Sequence, residues 1–301
     1  MTLVIKIGGA AGVATERMLD ELARYLATPG TDRRVVLVHG GSDLTNELAR
    51  ELGREVRTLT SPGGMTSRYT DHETLRIYAM AVAGQINTEL VAQLQRRGIN
   101  ALGLAGVDGR LLLARRKAAI RALTPDGRVQ IVRDDYTGQI EQVNAQLLNT
   151  LLAAGYLPVV APLAVSSDGE RLNVDGDRVA AAIACALGAE ELVIATNVPG
   201  LLRDPNDPST LIPRIEAEQL EEYTSYAQGR MRKKILGARE AIAGGVRRVH
   251  IGSAPLDALL SGEGTTIEVD SREMRDDRAS ASGSPGVCTS AAALARMYAC
   301  I

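Results

Sequence analysis

A short apolar stretch near the start of the chain, LVIKIGG at positions 3–9, places the strongest constraint on the fold. A continuous apolar run of this kind is typical of a strand that is buried on both faces of a parallel sheet. Gly8 and Gly9 follow at once, and glycines allow a sharp turn in which backbone N–H groups approach an anion. Because α/β sheets bind ligands beyond the carboxyl ends of their strands, we expect Lys6 to point into a binding crevice. A plain turn with a solvated lysine is the alternative that this stretch alone leaves open.

Further apolar runs alternate with helical patterns along most of the chain. Positions 35–39 and 157–165 have the composition of buried strands, and positions 71–84 and 85–97 have the periodicity of two helices. Strands that alternate with helices in this way are typical of βαβ units. The sequence therefore predicts a mainly parallel sheet that is covered by helices on both faces.

A second pair of glycines, Gly40 and Gly41, follows the predicted strand at 35–39. If this strand lies beside the first one, the two Gly-Gly turns meet at one crevice. Their N–H groups can then hold phosphate oxygens or a substrate carboxylate. The alternative is that each pair of glycines serves only the geometry of a tight turn.

The composition excludes several classes of function. Hydrophobic residues make up 45% of the 301 residues, charged residues make up 23%, and the net charge is −2, so nothing favours nucleic acid or membrane binding. Trp and Phe are absent, which argues against recognition of bases by aromatic stacking. The three cysteines lack metal-ligand spacing, and we find no signal peptide or transmembrane run. We therefore predict a cytoplasmic protein without a protein-held metal site.

The middle and the end of the chain differ from this pattern. Short strand candidates at 111–114, 118–123 and 129–132 predict an antiparallel flap beside the main sheet. Ser, Gly, Ala and Arg dominate after residue 270, a composition that is unsuited to packing. The predicted organisation is an N-terminal lobe at 1–171, a C-terminal lobe at 172–269 and a disordered tail at 270–301.

Polar residues of three kinds stand at predicted helix starts. Arg68 precedes one helix, where a guanidinium group can hold a carboxylate through two hydrogen bonds. Asn173, Asp175 and Asp177 enter another helix. They are either simple caps or the groups that phosphoryl transfer needs, namely an amide for the substrate and a carboxylate that orients lysines.

Four cations begin a further helix, in the sequence RMRKK at positions 230–234. Cations at this end oppose the helix dipole and cost stability unless an anion is present. A charge run is usually a solvated face, but its position favours a polyphosphate ligand.

Together these motifs resemble the amino acid kinase family over residues 1 to about 269, and its N-acetylglutamate kinase branch in particular. The likeness to the family is carried by KIGG at 6–9, HGG at 39–41, Arg68 with Thr70 and Asp71, NVDGD at 173–177, TNVPG at 196–200 and MRKK at 231–234. A closer likeness is to the kinases of LysW-linked aminoadipate or glutamate. It rests on SRYTD at 67–71, LAGVDG at 104–109 with RRK at 115–117, and RDDYTG at 133–138.

The resemblance implies a fold and a reaction. The fold is a three-layer αβα sandwich around a mainly parallel sheet, like that of carbamate kinase, with a β-hairpin flap. The reaction is ATP-dependent phosphorylation of the distal carboxylate of 2-aminoadipate or glutamate on a LysW-like carrier protein, in the biosynthesis of lysine alone or of both lysine and arginine. Mg²⁺ is carried by the nucleotide, and the enzyme is a homodimer.

The resemblance also implies residue roles. Lys6 bridges the donor and acceptor oxygens, Lys234 stabilises the transferred group, and Asp177 holds both lysines. The implied substrate-binding residues are Gly40, Gly41, Arg68 and Asn173. The implied phosphate- and nucleotide-binding residues are Gly8, Gly9, Asn197, Val198, Gly200, Leu201, Leu202 and Met231.

Basic residues crowd into the predicted flap and are implied to dock an acidic carrier. They are Arg110, Arg115, Arg116, Lys117 and Arg121. A solvated basic hairpin is the plainer interpretation. Two other functions stay open: an ordinary N-acetylglutamate kinase, and a non-catalytic regulatory protein of the same fold. A dinucleotide-binding dehydrogenase is disfavoured because no GxGxxG follows the first strand.

Overall fold

Strands and helices alternate along the chain in the computed structural model, which describes residues 1–9, 12–29 and 33–269. The strands are β1 (Thr2–Ile7), β2 (Arg34–His39), β3 (Thr58–Thr60), β4 (Thr66–Arg68), β5 (Ala101–Ala105), β6 (Leu112–Arg116), β7 (Ile120–Leu123), β8 (Val129–Val132), β9 (Gly138–Val143), β10 (Leu157–Ala161), β11 (Leu163–Val165), β12 (Arg171–Asn173), β13 (Glu191–Ala195), β14 (Arg214–Glu216), β15 (Arg248–Gly252) and β16 (Thr265–Glu268). The α-helices are α1 (Thr15–Ala27), α2 (Ser42–Glu51), α3 (His72–Ala79), α4 (Asn87–Arg96), α5 (Ala145–Ala153), α6 (Gly176–Ala186), α7 (Leu220–Tyr223), α8 (Arg230–Ala243) and α9 (Leu256–Leu260).

An eight-stranded sheet forms the centre, in the order β14-β16-β15-β13-β1-β2-β10-β5. Every neighbouring pair is parallel except β15 and β16, which are antiparallel. The predicted α/β fold with a mainly parallel sheet is confirmed. Strands β1 and β2 are neighbours, with Lys6 opposite Val38 and Ile7 opposite His39, so the two Gly-Gly turns leave the sheet side by side.

The two faces of β1 bury different side chains. Leu3, Ile5 and Ile7 belong to one hydrophobic cluster, with residues of α1, α4 and α9. Val4 belongs to a second cluster, with residues of α6 and α8. Successive side chains of a strand point to opposite faces, so Lys6 shares the face of Val4. The single lysine in this buried strand is therefore directed toward the α6 and α8 layer.

Two of the predicted elements have different bounds. The strand predicted at 157–165 is two strands, β10 and β11, that are separated by Pro162, and β11 joins a different sheet. The helices predicted at 71–84 and 85–97 form one continuous helical run, in which a π-helix (Met80–Ile86) joins α3 to α4. A π turn accommodates an extra residue without ending the helix, so Gly84 does not separate two helices.

Smaller sheets are formed by the remaining strands. One has the order β12-β11-β6-β9, and β3 with β4 and β7 with β8 form two antiparallel hairpins. The β7–β8 hairpin corresponds to part of the predicted flap, whereas the strand predicted at 111–114 overlaps β6, which pairs with β9. Strand β12 spans the predicted lobe boundary at 171/172, and the two-lobe division stays a prediction.

The predicted tail at 270–301 lies outside the described residues. Within the ranges that the structure describes, no helix has both the length and the apolarity needed to cross a membrane.

The Gly-Gly turns pack backbone against backbone. A Cβ atom on Gly9 would lie 2.2 Å from the Gly41 nitrogen, and one on Gly40 would lie 2.7 Å from the Gly9 nitrogen. On Gly41, a Cβ atom would lie 2.4 Å from Cγ1 of Val82, in the π-helix. Only glycine allows the two turns to approach this closely, so packing alone requires glycine at these positions.

We predict that Gly9→Ala lowers the free energy of unfolding by about 1–3 kcal/mol, because the new methyl group overlaps the Gly40–Gly41 backbone. Urea denaturation of the two proteins measures the difference. Gly84→Ala is the matched control, since no atom lies within 4 Å of the added Cβ. A Gly9→Ala protein as stable as wild type would contradict this packing.

Candidate active site

A cleft of about 540 Å³ opens where β1 and β2 end and where α6 and α8 begin. Ten of the residues predicted from sequence line it: Lys6, Gly8, Gly9, Gly40, Gly41, Arg68, Asn173, Asp177, Asn197 and Lys234. Its charged lining comprises five cations, Lys6, Arg68, Arg230, Lys233 and Lys234, and two carboxylates, Asp175 and Asp177. This surplus of positive charge favours an anionic ligand.

Asp177 lies between two lysines at the bottom of this cleft. Its Oδ1 lies 2.7 Å from Nζ of Lys6, and its Oδ2 lies 3.4 Å from Nζ of Lys234. All three residues are less than 10% exposed. Burial raises the pKa of Asp177, but the two ammonium groups outweigh it and hold that pKa at about 2. Burial lowers the pKa of Lys234, and the negative charge of Asp177 opposes the shift.

The local folding of α6 and α8 produces this arrangement. Asp175 caps α6, and its side chain accepts hydrogen bonds from the N–H groups of Asp177 at 3.0 Å and Arg178 at 3.3 Å. Helix α8 crosses α6 at Gly237, where a Cβ atom would lie 3.1 Å from the Asp177 carbonyl oxygen. Since Lys234 precedes Gly237 by three residues, it lies on the same side of α8 and reaches the carboxylate.

The cations at the start of α8 are not left unpaired. Arg230 pairs with Asp43 at 3.1 Å, Lys233 pairs with Asp175 at 3.5 Å, and Arg232 donates to the backbone oxygens of Ala227 and Gly63. These partners reduce the unfavourable interaction between the cations and the helix dipole. From the sequence we expected only a bound anion to do so. The sequence did not indicate Asp43, Asp175 and Gly63 because they belong to distant segments.

Arg68 is directed into the cleft by α2. Its guanidinium group donates to the Ser42 carbonyl oxygen at 2.9 Å and to the Asn46 side chain, and burial lowers its pKa. Asn46 lines the cleft and was missed in the sequence. Its spacing of four residues from Ser42, which places both on one helical face, is the signal that indicates it.

Tyr78 is a second cleft residue that the sequence analysis missed. It is buried, and its hydroxyl donates to the Pro162 carbonyl oxygen at 3.0 Å. It lies in α3 among apolar residues, where a tyrosine is hard to distinguish from ordinary core.

Five predicted nucleotide-binding residues lie outside the cleft wall: Val198, Gly200, Leu201, Leu202 and Met231. Leu201 and Leu202 are buried, and the Leu201 N–H donates to Oγ1 of Thr265 at 2.8 Å. Gly200 has a φ of +159°, and a Cβ atom there would lie 2.5 Å from the same Oγ1. This segment is anchored on β16, and the nucleotide-binding role of these five residues stays a prediction.

The basic residues predicted to dock a carrier have different environments. Arg110, Arg115, Lys117 and Arg121 are exposed, and Arg115 pairs with Glu141 at 2.9 Å. Arg116 is half-buried, lies 3.8 Å above the ring of Tyr136 and pairs with Glu170 at 3.1 Å. Arg116 is therefore committed to contacts within the protein, and the docking role of all five stays a prediction.

His39 connects the second Gly-Gly turn to the helical layer. The amide nitrogen of Asn87 lies 2.9 Å from the Val159 carbonyl oxygen and 3.1 Å from His39 Nε2. That nitrogen carries two hydrogens and accepts none, so Nε2 is an acceptor and Nδ1–H donates to the Gly40 carbonyl oxygen at 3.0 Å. Burial lowers the pKa of His39 to about 4, which keeps the ring neutral.

The depressed pKa of His39 predicts a pH dependence of stability. The unfolded chain binds a proton below about pH 6.5 and the folded chain only below about pH 4, so stability is lost as the pH falls through this range. Relative to His39→Gln, wild type should lose about 3 kcal/mol of unfolding free energy between pH 7 and pH 4. Equal losses in urea titrations of the two proteins would contradict a neutral His39.

A second prediction concerns the two lysines. In Asp177→Asn their charges lose the buried carboxylate, so we expect the free energy of unfolding to fall by about 3–5 kcal/mol. Pyrophosphate should restore part of this loss, because an anion in the cleft replaces the missing charge. Thermal unfolding with and without pyrophosphate measures both effects, with Asp168→Asn in an exposed turn as the control. A variant that matches wild type in both measurements would contradict the arrangement.

Comparison with known proteins agrees with the geometry. The model of the amino acid kinase family matches residues 1–253. A protein of Deinococcus radiodurans named LysW-aminoadipate kinase is 47% identical, over 88% of this chain and 91% of its own. A protein of Methanopyrus kandleri named acetylglutamate kinase is 41% identical, over 88% of this chain and 99% of its own.

Among solved structures, carbamate kinase from Giardia lamblia bound to AMP-PNP superposes with a TM-score of 0.63 at 16% identity. It covers 89% of this chain and 98% of its own, and at this identity the likeness concerns the fold alone. The family model covers most of the chain, and the relatives match at high identity over nearly their full lengths. The chain therefore belongs to the amino acid kinase family.

Proposed function

We propose that this protein is an ATP-dependent kinase. Its acceptor is the distal carboxylate of 2-aminoadipate or glutamate, whose amino group is linked to a small acidic carrier protein of the LysW type. The single observation that carries the kinase reaction is the buried pair of ammonium groups held on one carboxylate, Lys6 and Lys234 on Asp177, in a cationic cleft. The carrier-linked acceptor is supported by the 47% identical relative and its name.

The reaction needs little from the protein besides charge and alignment. An oxygen of the substrate carboxylate attacks the γ-phosphorus, the bond from phosphorus to the β,γ-bridging oxygen breaks, and ADP leaves as the acyl phosphate forms. The attacking carboxylate is already ionised near pH 7, so no general base is required. The barrier is lowered by holding the two oxygens in line and by placing positive charge around the transferred group.

The three residues Lys6, Asp177 and Lys234, which we call the lysine cluster, each have a separate role in this reaction. Lys6, at the end of β1 beside the Gly-Gly turns, lies between donor and acceptor and neutralises both. Lys234, at the start of α8, stabilises the transferred phosphoryl group and the leaving oxygen. Asp177 keeps the two ammonium groups oriented in advance, so that little reorganisation accompanies the reaction.

ATP fits the cationic cleft in charge, and Mg²⁺ would be held mainly by its phosphates. Both oxygens of Asp177 already contact lysines, and Asp175 caps α6 and pairs with Lys233. These two carboxylates of the lining are therefore occupied. Mg²⁺ retains water and phosphate ligands readily, and it supplies further positive charge at the phosphates.

The substrate and the carrier bind other residues in this proposal. Gly40, Gly41, Arg68 and Asn173, which we call the acceptor side of the cleft, bind the substrate, with Arg68 on its free carboxylate. The exposed cations Arg110, Arg115, Lys117 and Arg121 attract the acidic carrier, an effect that weakens as salt is added. We propose further that the enzyme is cytoplasmic, as predicted from its composition. From the resemblance we propose that it is a homodimer that works in the biosynthesis of lysine alone or of both lysine and arginine.

N-acetylglutamate kinase is the second candidate, and the 41% identical relative with that name favours it. The two functions differ in the acceptor and share the cleft chemistry. A non-catalytic regulatory protein is less well supported, since Lys6, Asp177 and Lys234 are all present and in contact.

We predict that kcat/KM for carrier-linked aminoadipate or glutamate exceeds kcat/KM for free N-acetylglutamate by at least about tenfold, because only the linked acceptor gains contacts outside the cleft. Coupled ADP release with each acceptor measures the ratio. Lys6→Ala, with its fold checked by circular dichroism, should abolish turnover of both. A higher kcat/KM for the free acceptor would establish the second candidate, and turnover that survives Lys6→Ala would exclude the mechanism.

A further inference from the structure

We propose that Asp135 is a positioning residue for acceptor binding, acting through the backbone of the segment that carries Arg68. This inference rests on the proposed function. Asp135 belongs to the motif at 133–138, which contributed to the resemblance but received no role in the sequence analysis.

Asp135 is a buried carboxylate that accepts hydrogen bonds from backbone N–H groups. It is 1% exposed, its Oδ2 accepts from the Thr70 N–H at 2.8 Å, and its Oδ1 accepts from the Thr137 N–H at 2.7 Å. Hydrogen bonds to an ionised acceptor are stronger than those between neutral groups. Each oxygen therefore binds a different segment, one at Thr70 and one at Thr137, and the carboxylate fixes the distance between these two segments.

Thr70 is held on all its other polar atoms as well. Its carbonyl oxygen accepts from the Tyr136 N–H at 2.8 Å, and its hydroxyl oxygen accepts from Nδ2 of Asn173 at 2.9 Å. The same hydroxyl donates to the Arg68 carbonyl oxygen at 3.2 Å. The Asn173 N–H in turn donates to the Tyr136 carbonyl oxygen at 2.9 Å. One network therefore connects two of the proposed acceptor-binding residues, Arg68 and Asn173, to Asp135.

Arg116 holds this network from the outside. Its Nε donates to the Asp135 carbonyl oxygen at 3.0 Å, and its guanidinium carbon lies 3.8 Å above the ring of Tyr136. Its Nη1 contacts Glu170 at 3.1 Å. These contacts fix the Asp135–Tyr136 backbone, and they explain why Arg116, unlike the other predicted docking residues, is half-buried.

The network ends at the acceptor side of the cleft. Lys6, Asp177 and Lys234 are supplied by β1, α6 and α8, whereas Thr70 and Tyr136 belong to separate segments. Asn173 ends β12, and Asp175, which follows it, independently caps the start of α6. Loss of the Asp135 carboxylate should therefore displace Arg68 and Asn173 and leave the lysine cluster in place. The expected consequence is weaker acceptor binding with phosphoryl transfer largely unchanged.

The test is Asp135→Asn, which keeps the size of the side chain but lets only one oxygen accept. We expect KM for the acceptor to rise about tenfold, with kcat and KM for ATP within twofold of wild type. The Thr70 or Thr137 amide should also exchange with solvent at least about tenfold faster in hydrogen-exchange experiments. Asp257→Asn, which removes an exposed carboxylate on α9, is the matched control and should alter none of these values.

An unchanged acceptor KM in a folded Asp135→Asn protein would overturn the proposal, as would a parallel loss of kcat and ATP binding. If that variant does not fold, Arg116→Lys tests the proposal instead. This substitution keeps the positive charge but loses the planar contact with Tyr136. We expect it to raise KM for the acceptor and to leave kcat and KM for ATP unchanged. If wild type phosphorylates neither the carrier-linked nor the free acceptor, the proposed function fails. The exchange of the Thr70 and Thr137 amides then still decides whether Asp135 positions this segment.

Discussion

The contact of one buried carboxylate with two lysines is the interaction on which the site depends. Two ammonium groups that lie this close in a buried position repel each other strongly, and neither is stable there without a counter-charge. Asp177 supplies that charge and holds Lys6, from the first strand, and Lys234, from a helix more than two hundred residues later. A phosphate group that enters the cleft meets cations whose orientation is already set.

The surrounding fold is arranged so that this contact can form. The pleat of β1 directs Lys6 toward the layer of α6 and α8, and the lack of a side chain on Gly237 lets α8 approach the backbone of Asp177. Gly9, Gly40 and Gly41 pack so closely that their turns form one surface. The charges of the cluster therefore come from β1, α6 and α8, and the shape of the cleft wall comes from the turns that follow β1 and β2.

The sequence was sufficient to predict the parallel sheet and the residues around its carboxyl edge, because both follow from local patterns. The apolar run with one lysine, the paired glycines and the polar helix start at 173–177 each indicate their surroundings directly. The resemblance added which of these residues act together. Lys6, Asp177 and Lys234 do lie in contact, as that combination requires.

Features that depend on distant partners were not predictable in this way. Leu201 directly follows the TNVPG motif, but its backbone N–H is bound by Thr265 on β16, some sixty residues later. The stacking of Arg116 on Tyr136 was not indicated by the sequence, because the two residues are twenty positions apart. The burial of Asp135 depends on a hydrogen bond to Thr70, which is 65 residues away. A single sequence gives no signal for such pairs.

The most direct measurement of the central claim is a crystal structure with Mg²⁺, a non-hydrolysable ATP analogue and the acceptor amino acid. The account predicts that Nζ of Lys6 and Nζ of Lys234 both lie within about 3 Å of oxygens on the terminal phosphate, with Asp177 still in contact with both lysines. A terminal phosphate bound elsewhere, with the two ammonium groups directed away from it, would contradict the account.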